Sequence, residues 1–253
     1  MDLGLTDRVF VVTAASGGLG RATAAQLVAE GAKVVLVARR GGVLAEAVAE
    51  FGSGNAVSLS ADLADASTAA DACRLAIDTF GRLDGALISV GGPPAGTVTS
   101  TSDEQWLDAF HSVFLAGLRV CRAVAARATG NDLAIAWVLS TSVKSPIGGL
   151  AASNGLRPGL AMLIKQLADE WGPKGTRVIG LMPGRVETER VAHLDSLAAD
   201  PAASRAASEA SIPLGRYGQP DEFGRVAAFV LSPAASYLTG CVIPVEGGSL
   251  RSL

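Results

Sequence analysis

The chain has only three cysteines, Cys73, Cys121 and Cys241, far apart and without a CxxC pair. Neither a disulfide framework nor a zinc site is signalled, and all three read as buried thiols. Charge is sparse as well: Asp, Glu, Lys and Arg make up 18% of the residues, the net charge is -3, and there is no basic stretch. A nucleic-acid-binding face is thereby excluded. No uninterrupted apolar run approaches the roughly 18 residues that a membrane span needs. Met1 to Arg8 lacks the charged-then-apolar order of a signal segment, so the expectation is a cytoplasmic protein without a membrane partner. Tyrosine is scarcer still, with only Tyr217 and Tyr237.

What the sequence does have is apolar bulk. Hydrophobic residues make up 49% of 253, enough for one large α/β domain over 1–253, with no linker or repeat that would force a second. The most informative stretch is Thr13 to Gly20 (Thr-Ala-Ala-Ser-Gly-Gly-Leu-Gly), set between the apolar run Val9 to Val12 and a helix-like run, Arg21 to Glu30. In such a strand, glycine turn and helix, backbone N–H groups at the helix N-terminus can hold a phosphate. Gly18 would let the backbone approach a pyrophosphate, and Gly20 would let the helix pack closely on the strand.

Lys33 to Ala38 reads as a second buried strand, which closes a βαβ unit in about thirty residues. After it stand Arg39 and Arg40, where a site for an unphosphorylated ribose would carry Asp or Glu. Guanidinium groups there favour a 2′-phosphate, so NADP is expected over NAD. A helix over Val43 to Glu50 and a strand over Ala56 to Ser60 follow, delivering Asp62 at the strand's carboxyl end. Asp62 either touches an adenine amino group or caps the helix beginning near Ser67.

Ala70 to Phe80 is an amphipathic helix, and Gly85 to Val90 a fourth strand ending in Ser89-Val90-Gly91-Gly92. Ser102-Asp103-Glu104-Gln105 is a capping-box pattern that opens a long helix through about Arg127. Leu133 to Leu139, Thr176 to Leu181 and Cys241 to Val245 read as strands, Pro158 to Trp171 and Pro220 to Leu231 as helices. The stretch Glu187 to Ser211 is either a substrate lid or a pair of short surface helices. Strands and helices alternating at this rhythm predict a doubly wound parallel sheet.

Read together, these residues resemble a classical short-chain dehydrogenase/reductase of the ketoacyl-reductase-like branch, along nearly the full chain. Thr13 to Gly20 is similar to that family's Thr-Gly-x-x-x-Gly-x-Gly, Asp62-Leu63 to its adenine-contacting pair, and Ser89 to Gly92 to its Asn-Ala-Gly turn. Pro183-Gly184 with Thr188 resembles the motif that holds the nicotinamide carboxamide. Pro213 to Arg216, Leu238 to Gly240 and Glu246 to Gly248 look like the family's C-terminal landmarks. The resemblance implies a Rossmann-type three-layer sandwich, an NADP-dependent oxidoreductase of carbonyl or alcohol substrates, and a homodimer or homotetramer. It places Thr13, Ser16, Gly18, Leu19, Gly20, Arg39, Arg40, Asp62, Leu63, Gly91, Pro183, Gly184 and Thr188 around the cofactor. Assembly would use the helices Gln105 to Arg127 and Pro158 to Trp171 and the last strand, with Ala116 and Gly117 allowing close helix approach.

The departures concern the chemistry. The family's Tyr-x-x-x-Lys falls on Ser153-Asn154-Gly155-Leu156-Arg157, so Ser153 replaces the tyrosine and Arg157 the lysine. Ser140 stands thirteen residues before Ser153, with Ser142 as an alternative. Val113 occupies the place of the helix asparagine, and Ala14 replaces the first glycine of the phosphate turn. A serine hydroxyl is far less acidic than a phenol, and arginine keeps its proton at working pH. Ser140 would hold a carbonyl oxygen, while Ser153 would polarise and position. Arg157 either serves the cofactor ribose, holds a substrate carboxylate or phosphate, or bonds a nearby carbonyl. Lys144, on the loop Ser142 to Pro146, is the candidate acid if partly desolvated; His111 and His193 are weaker ones. Pro158 predicts that the site helix starts late or is distorted there. The competing expectation is a pseudoenzyme that kept the fold for nucleotide or partner binding.

Overall fold

Strands buried on both faces carry apolar, β-branched runs rather than an alternation, which is the signature of a parallel sheet covered by helices. The computed structural model, which describes residues 1–130 and 132–252, realises this. Strands β1 (Val9–Thr13), β2 (Lys33–Ala38), β3 (Ala56–Ser60), β4 (Gly85–Ile88), β5 (Leu133–Val138), β6 (Thr176–Pro183) and β7 (Val242–Val245) form one sheet. Their order is β3-β2-β1-β4-β5-β6-β7, and each pairing is parallel. The order reverses between β1 and β4, and open sheets of this kind bind ligands beyond the carboxyl ends at such a reversal.

Two hydrophobic clusters make the sandwich. On one face α1 (Gly18–Ala29), α2 (Gly41–Phe51) and α9 (Pro220–Leu231) pack around Phe10, Leu27, Leu36 and Phe223. On the other, α3 (Thr68–Phe80), α5 (Ala116–Arg127) and α6 (Ala151–Trp171) cover Val11, Ile135, Trp137 and Ile164. α1 crosses α9 so closely that a Cβ on Gly224 would lie 2.7 Å from the Ala22 carbonyl oxygen. Cys73 and Cys121 lie in the second cluster, where burial pushes their thiols up to about 11 and about 12. Both are inert thiols on that account.

Ser102 and Gln105 close the expected capping box, and the helix behind it has three parts: α4 (Asp103–Ala109), a π-helical stretch Phe110–Leu115, and α5. This 25-residue helix, Asp103–Arg127, is long and apolar enough to cross a membrane by length and composition. It holds no long uninterrupted apolar run, because Asp108, Arg119 and Arg122 lie within it. Here Val113, Ala116, Val120, Cys121 and Val124 are buried against the rest of the chain. Ala116 and Gly117 are therefore not a free face for a second subunit. A Cβ on Gly117 would lie 2.5 Å from the Trp137 ring, so its smallness serves packing within the protomer.

The late start expected for the site helix is corrected. α6 runs unbroken from Ala151, with Pro158 as its eighth residue. The proline removes one helical hydrogen bond, a cost of about 3 kcal/mol in an isolated helix. Tertiary ties hold the first turns instead. Asn154 Oδ1 accepts from Ile147 N–H and Asn154 Nδ2 donates to the Ile147 carbonyl, at 3.0 and 2.9 Å. Glu187 to Ser211 resolves into α7 (Glu189–Ser196) and α8 (Pro201–Ala210). Asp195 clasps this pair of helices to the body, accepting from Arg185 Nη1 at 2.7 Å and from the Tyr217 hydroxyl at 3.1 Å.

Candidate active site

At the carboxyl ends of β1, β4, β5 and β6 the chain opens a cavity of about 360 Å³, continuous through Ala14, Ser16, Arg40, Gly91 and Gly92 with a second of about 610 Å³. The glycine turn forms the floor. Ala14 adopts a left-handed φ of 51°, so the turn keeps its shape without its first glycine at a strain of about 1–2 kcal/mol. Gly18 also has positive φ, and a Cβ on Gly20 would lie 2.7 Å from the Ala14 carbonyl oxygen. Only glycine fits that approach of helix to strand. No side chain caps α1, whose first residues Gly18, Leu19 and Gly20 line the cavity. Its free N–H groups fit an anion such as a dinucleotide's diphosphate.

Thr13 is corrected in role. It is fully buried, its hydroxyl donating to the Ser89 carbonyl at 2.5 Å and accepting from Ser89 N–H at 2.8 Å. It joins the ends of β1 and β4 instead of facing a ligand. Ser16, Gly91, Pro183, Gly184 and Thr188 all line the cavity, and the Thr188 hydroxyl accepts from Val191 N–H to cap α7.

Arg39, Arg40, Asp62 and Leu63 line the second, adjoining space. The two arginines differ. Arg40 is held: Nε donates to Ser16 Oγ at 3.1 Å, Nη2 to the Ser16 carbonyl at 3.1 Å, and Nη1 lies 3.2 Å from a Glu189 carboxylate oxygen. Arg39 is 78% exposed and, among the described residues, pairs with Asp62 alone, at 3.8 Å. Asp62 does not cap α3. Its Oδ1 accepts from Ala64 N–H at 2.9 Å and so closes its own turn, while its carbonyl accepts from the Thr68 hydroxyl.

Ser140, Ser153 and Arg157 come together on the opposite wall. The Ser140 Oγ accepts from Ser142 N–H at 3.1 Å, which leaves its own hydrogen free to donate. Ser153 and Ser142 hydroxyls lie 3.1 Å apart, both buried. Ser142 does not line the cavity, so Ser140 is the serine that faces it. Arg157, 7% exposed, donates through Nη1 to the Val138 and Leu139 carbonyls at 2.9 and 3.1 Å. Burial first, and the charge of Arg190 second, push its guanidinium down to about 10, still well above neutrality. The carbonyl-bonding alternative thus holds for one end of this side chain.

Lys144 is exposed and does not line the cavity. The acid role expected of it is withdrawn. His111 and His193 are also exposed and outside it. One contributor went unnoticed in the sequence. Arg190, in the first turn of α7, lines the cavity and donates through Nη2 to the Pro93 carbonyl at 2.6 Å. Its place two residues after Thr188 was the available signal.

The comparisons with known proteins point the same way. A family model described as Enoyl-(Acyl carrier protein) reductase matches residues 13–249. Cyclohexanol dehydrogenase of Rhodococcus sp. (strain TK6) is 30% identical over 270 residues, covering 98% of this chain and 97% of that one. An NADPH-bound short chain oxidoreductase from Pseudomonas aeruginosa PAO1, containing an atypical catalytic center, superposes with a TM-score of 0.89 at 30% identity over 98% of both chains. L-Sorbose reductase from Gluconobacter frateurii, complexed with NADPH and L-sorbose, gives a TM-score of 0.90 at 26% identity over the whole of both.

Proposed function

On the premise that this chain belongs to the classical short-chain dehydrogenase/reductase family, we propose that it is NADP-linked and works through an atypical site. The family makes it an oxidoreductase of alcohols or carbonyls with a nicotinamide cofactor and a small-molecule substrate. When bound, that cofactor supplies or accepts the hydride. The chain's own residues do the rest. The uncapped α1 N-terminus holds the diphosphate, and Pro183, Gly184 and Thr188 stand at the nicotinamide end. Ser140 donates its free hydrogen to the substrate oxygen, which steadies the charge that develops there. Ser153 positions that oxygen, and water supplies the proton, since among the described residues neither a tyrosine nor a lysine lines the cavity.

The observation that carries NADP over NAD is Arg39, exposed on the wall of the adjoining space with the Asp62 carboxylate 3.8 Å away. A guanidinium so placed suits a 2′-phosphate. The Pseudomonas neighbour, whose centre is also atypical, binds NADPH and supports this reading. We place the protein in the cytoplasm as a homodimer or homotetramer built on the outer faces of α4 and α6, where Leu107 and Met162 are 59% and 73% exposed.

Calorimetric titration of NADPH and NADH into the wild type and Arg39→Ala tests the reading. NADPH should bind more tightly than NADH, and the variant should lose about tenfold or more for NADPH alone. If neither nucleotide binds, the fold has outlived its cofactor and the oxidoreductase reading falls.

A further inference from the structure

Two guanidinium groups share the cavity wall next to the candidate carbonyl site. Arg157 is anchored by Nη1 to the end of β5, and Arg190 by Nη2 to the Pro93 carbonyl after β4. Both line the same space as Ser140 and Ser153. Among the described residues, the remaining guanidinium nitrogens of the pair have no acceptor in the chain, and no carboxylate pairs with either arginine. Glu189, the one carboxylate on that wall, is taken by Arg40 at 3.2 Å. The two positive charges are near enough for Arg190 to lower the proton affinity of Arg157, and burial lowers that of both.

Charges removed from water in an apolar cavity need a counter-charge. Arginine's fork is the side chain best matched to a planar carboxylate. The cofactor's diphosphate has its own place at the N-terminus of α1, beyond β1. Arg157 stands beyond β5 with the two serines, on the side where a substrate carbonyl would lie.

We propose that Arg157 and Arg190 anchor a carboxylate on the substrate, which makes the protein an oxidoreductase of small oxo acids and the matching hydroxy acids. The proposal rests on the reading of the site given above. In the reductive direction the carbonyl carbon gains a hydride from the reduced dinucleotide and the carbonyl oxygen, held by Ser140, gains a proton from water. The products are the hydroxy acid, the oxidised dinucleotide and hydroxide. Arg157 and Arg190 set where the acid lies and take no part in the proton transfer.

The test is calorimetry on the NADP⁺-loaded protein with 2-oxobutyrate, acetoacetate and levulinate, each against its methyl ester. At least one acid should bind tenfold or more tightly than its ester. Arg190→Gln should abolish that preference with NADP⁺ affinity unchanged, and Arg157→Lys, which keeps the charge and loses the fork, should reduce it. Two results overturn the proposal: no acid preferred over its ester, or Arg190→Gln weakening NADP⁺ while sparing the acid, which would assign Arg190 to the cofactor. If NADP⁺ itself does not bind, the oxidoreductase reading fails separately, and titrating the acids into the free protein decides the anion site. Acid binding that Arg190→Gln removes upholds it, and no binding overturns it.

Discussion

Ser140 lines the cavity and accepts from Ser142 N–H, which leaves its own hydrogen to donate, whereas the Ser142 and Ser153 hydroxyls share one hydrogen bond in which either can be the donor. Its hydrogen and its place on the cavity wall suit Ser140 to hold a developing oxyanion. Ser140→Ala should lower kcat about 100-fold, the usual scale for losing one such donor, while the NADPH Kd stays unchanged. A steady-state assay paired with calorimetry checks both halves, and an unchanged kcat would move the role to Ser153. At this scale the sequence was legible wherever chemistry is local. Arg39, Gly18 and Gly20 could be read from a strand, a turn and a helix within thirty residues. Thr13 was misread because its hydroxyl partner, Ser89, lies 76 residues away. Lys144 was misplaced because where a loop side chain stands relative to the cavity is not a property of the loop sequence.

Among the elements, α9 shows how a charge pair sets a helix start. Glu222 accepts from Gln219 N–H at 2.7 Å and takes both Nη groups of Arg216, at 2.7 and 2.8 Å. The Arg216 guanidinium foremost holds its carboxyl down at about 2, against an ordinary 4.5. A carboxyl depressed in the folded state contributes stability that is complete above its unfolded value and disappears as pH falls through its folded one. The gap in Tm between wild type and Glu222→Gln should therefore be constant above pH 5, shrink below about 4.5 and close near 2. Thermal melts across that range check it, and high salt should narrow the gap because the pair faces solvent. The same scale holds the clearest misjudgement, the start of α6. Proline chemistry is local and argued for a late start. The ties that override it, from Asn154 to Ile147 and from Arg157 to Val138 and Leu139, reach 7 to 19 residues along the chain.

For the whole molecule, the outstanding property is assembly. Leu107 and Met162 stand at more than half exposure on α4 and α6, within the two helices through which the family resemblance implies assembly. Sedimentation should show a dimer or tetramer for the wild type and a smaller species for Met162→Asp, with the far-ultraviolet spectrum unchanged. A wild-type monomer would overturn the expectation. Gly117 and Ala116, expected in that interface, are used against Trp137 and the core instead.

By itself the sequence determined the succession of strands and helices, the doubly wound sheet, the glycine turn between β1 and α1, the arginine pair after β2 and the loss of the family's tyrosine. All of these follow from periodicity, from glycine and proline conformations, or from the identity of a residue within a short window. The tertiary structure decided that Ser140 and not Ser142 lines the cavity, where Arg157 is anchored, and that Arg190 reaches the cavity by bonding a carbonyl 97 residues earlier. Those outcomes depend on hydrogen-bond partners and burial, which arise only when distant segments pack against one sheet edge, and no local pattern encodes them.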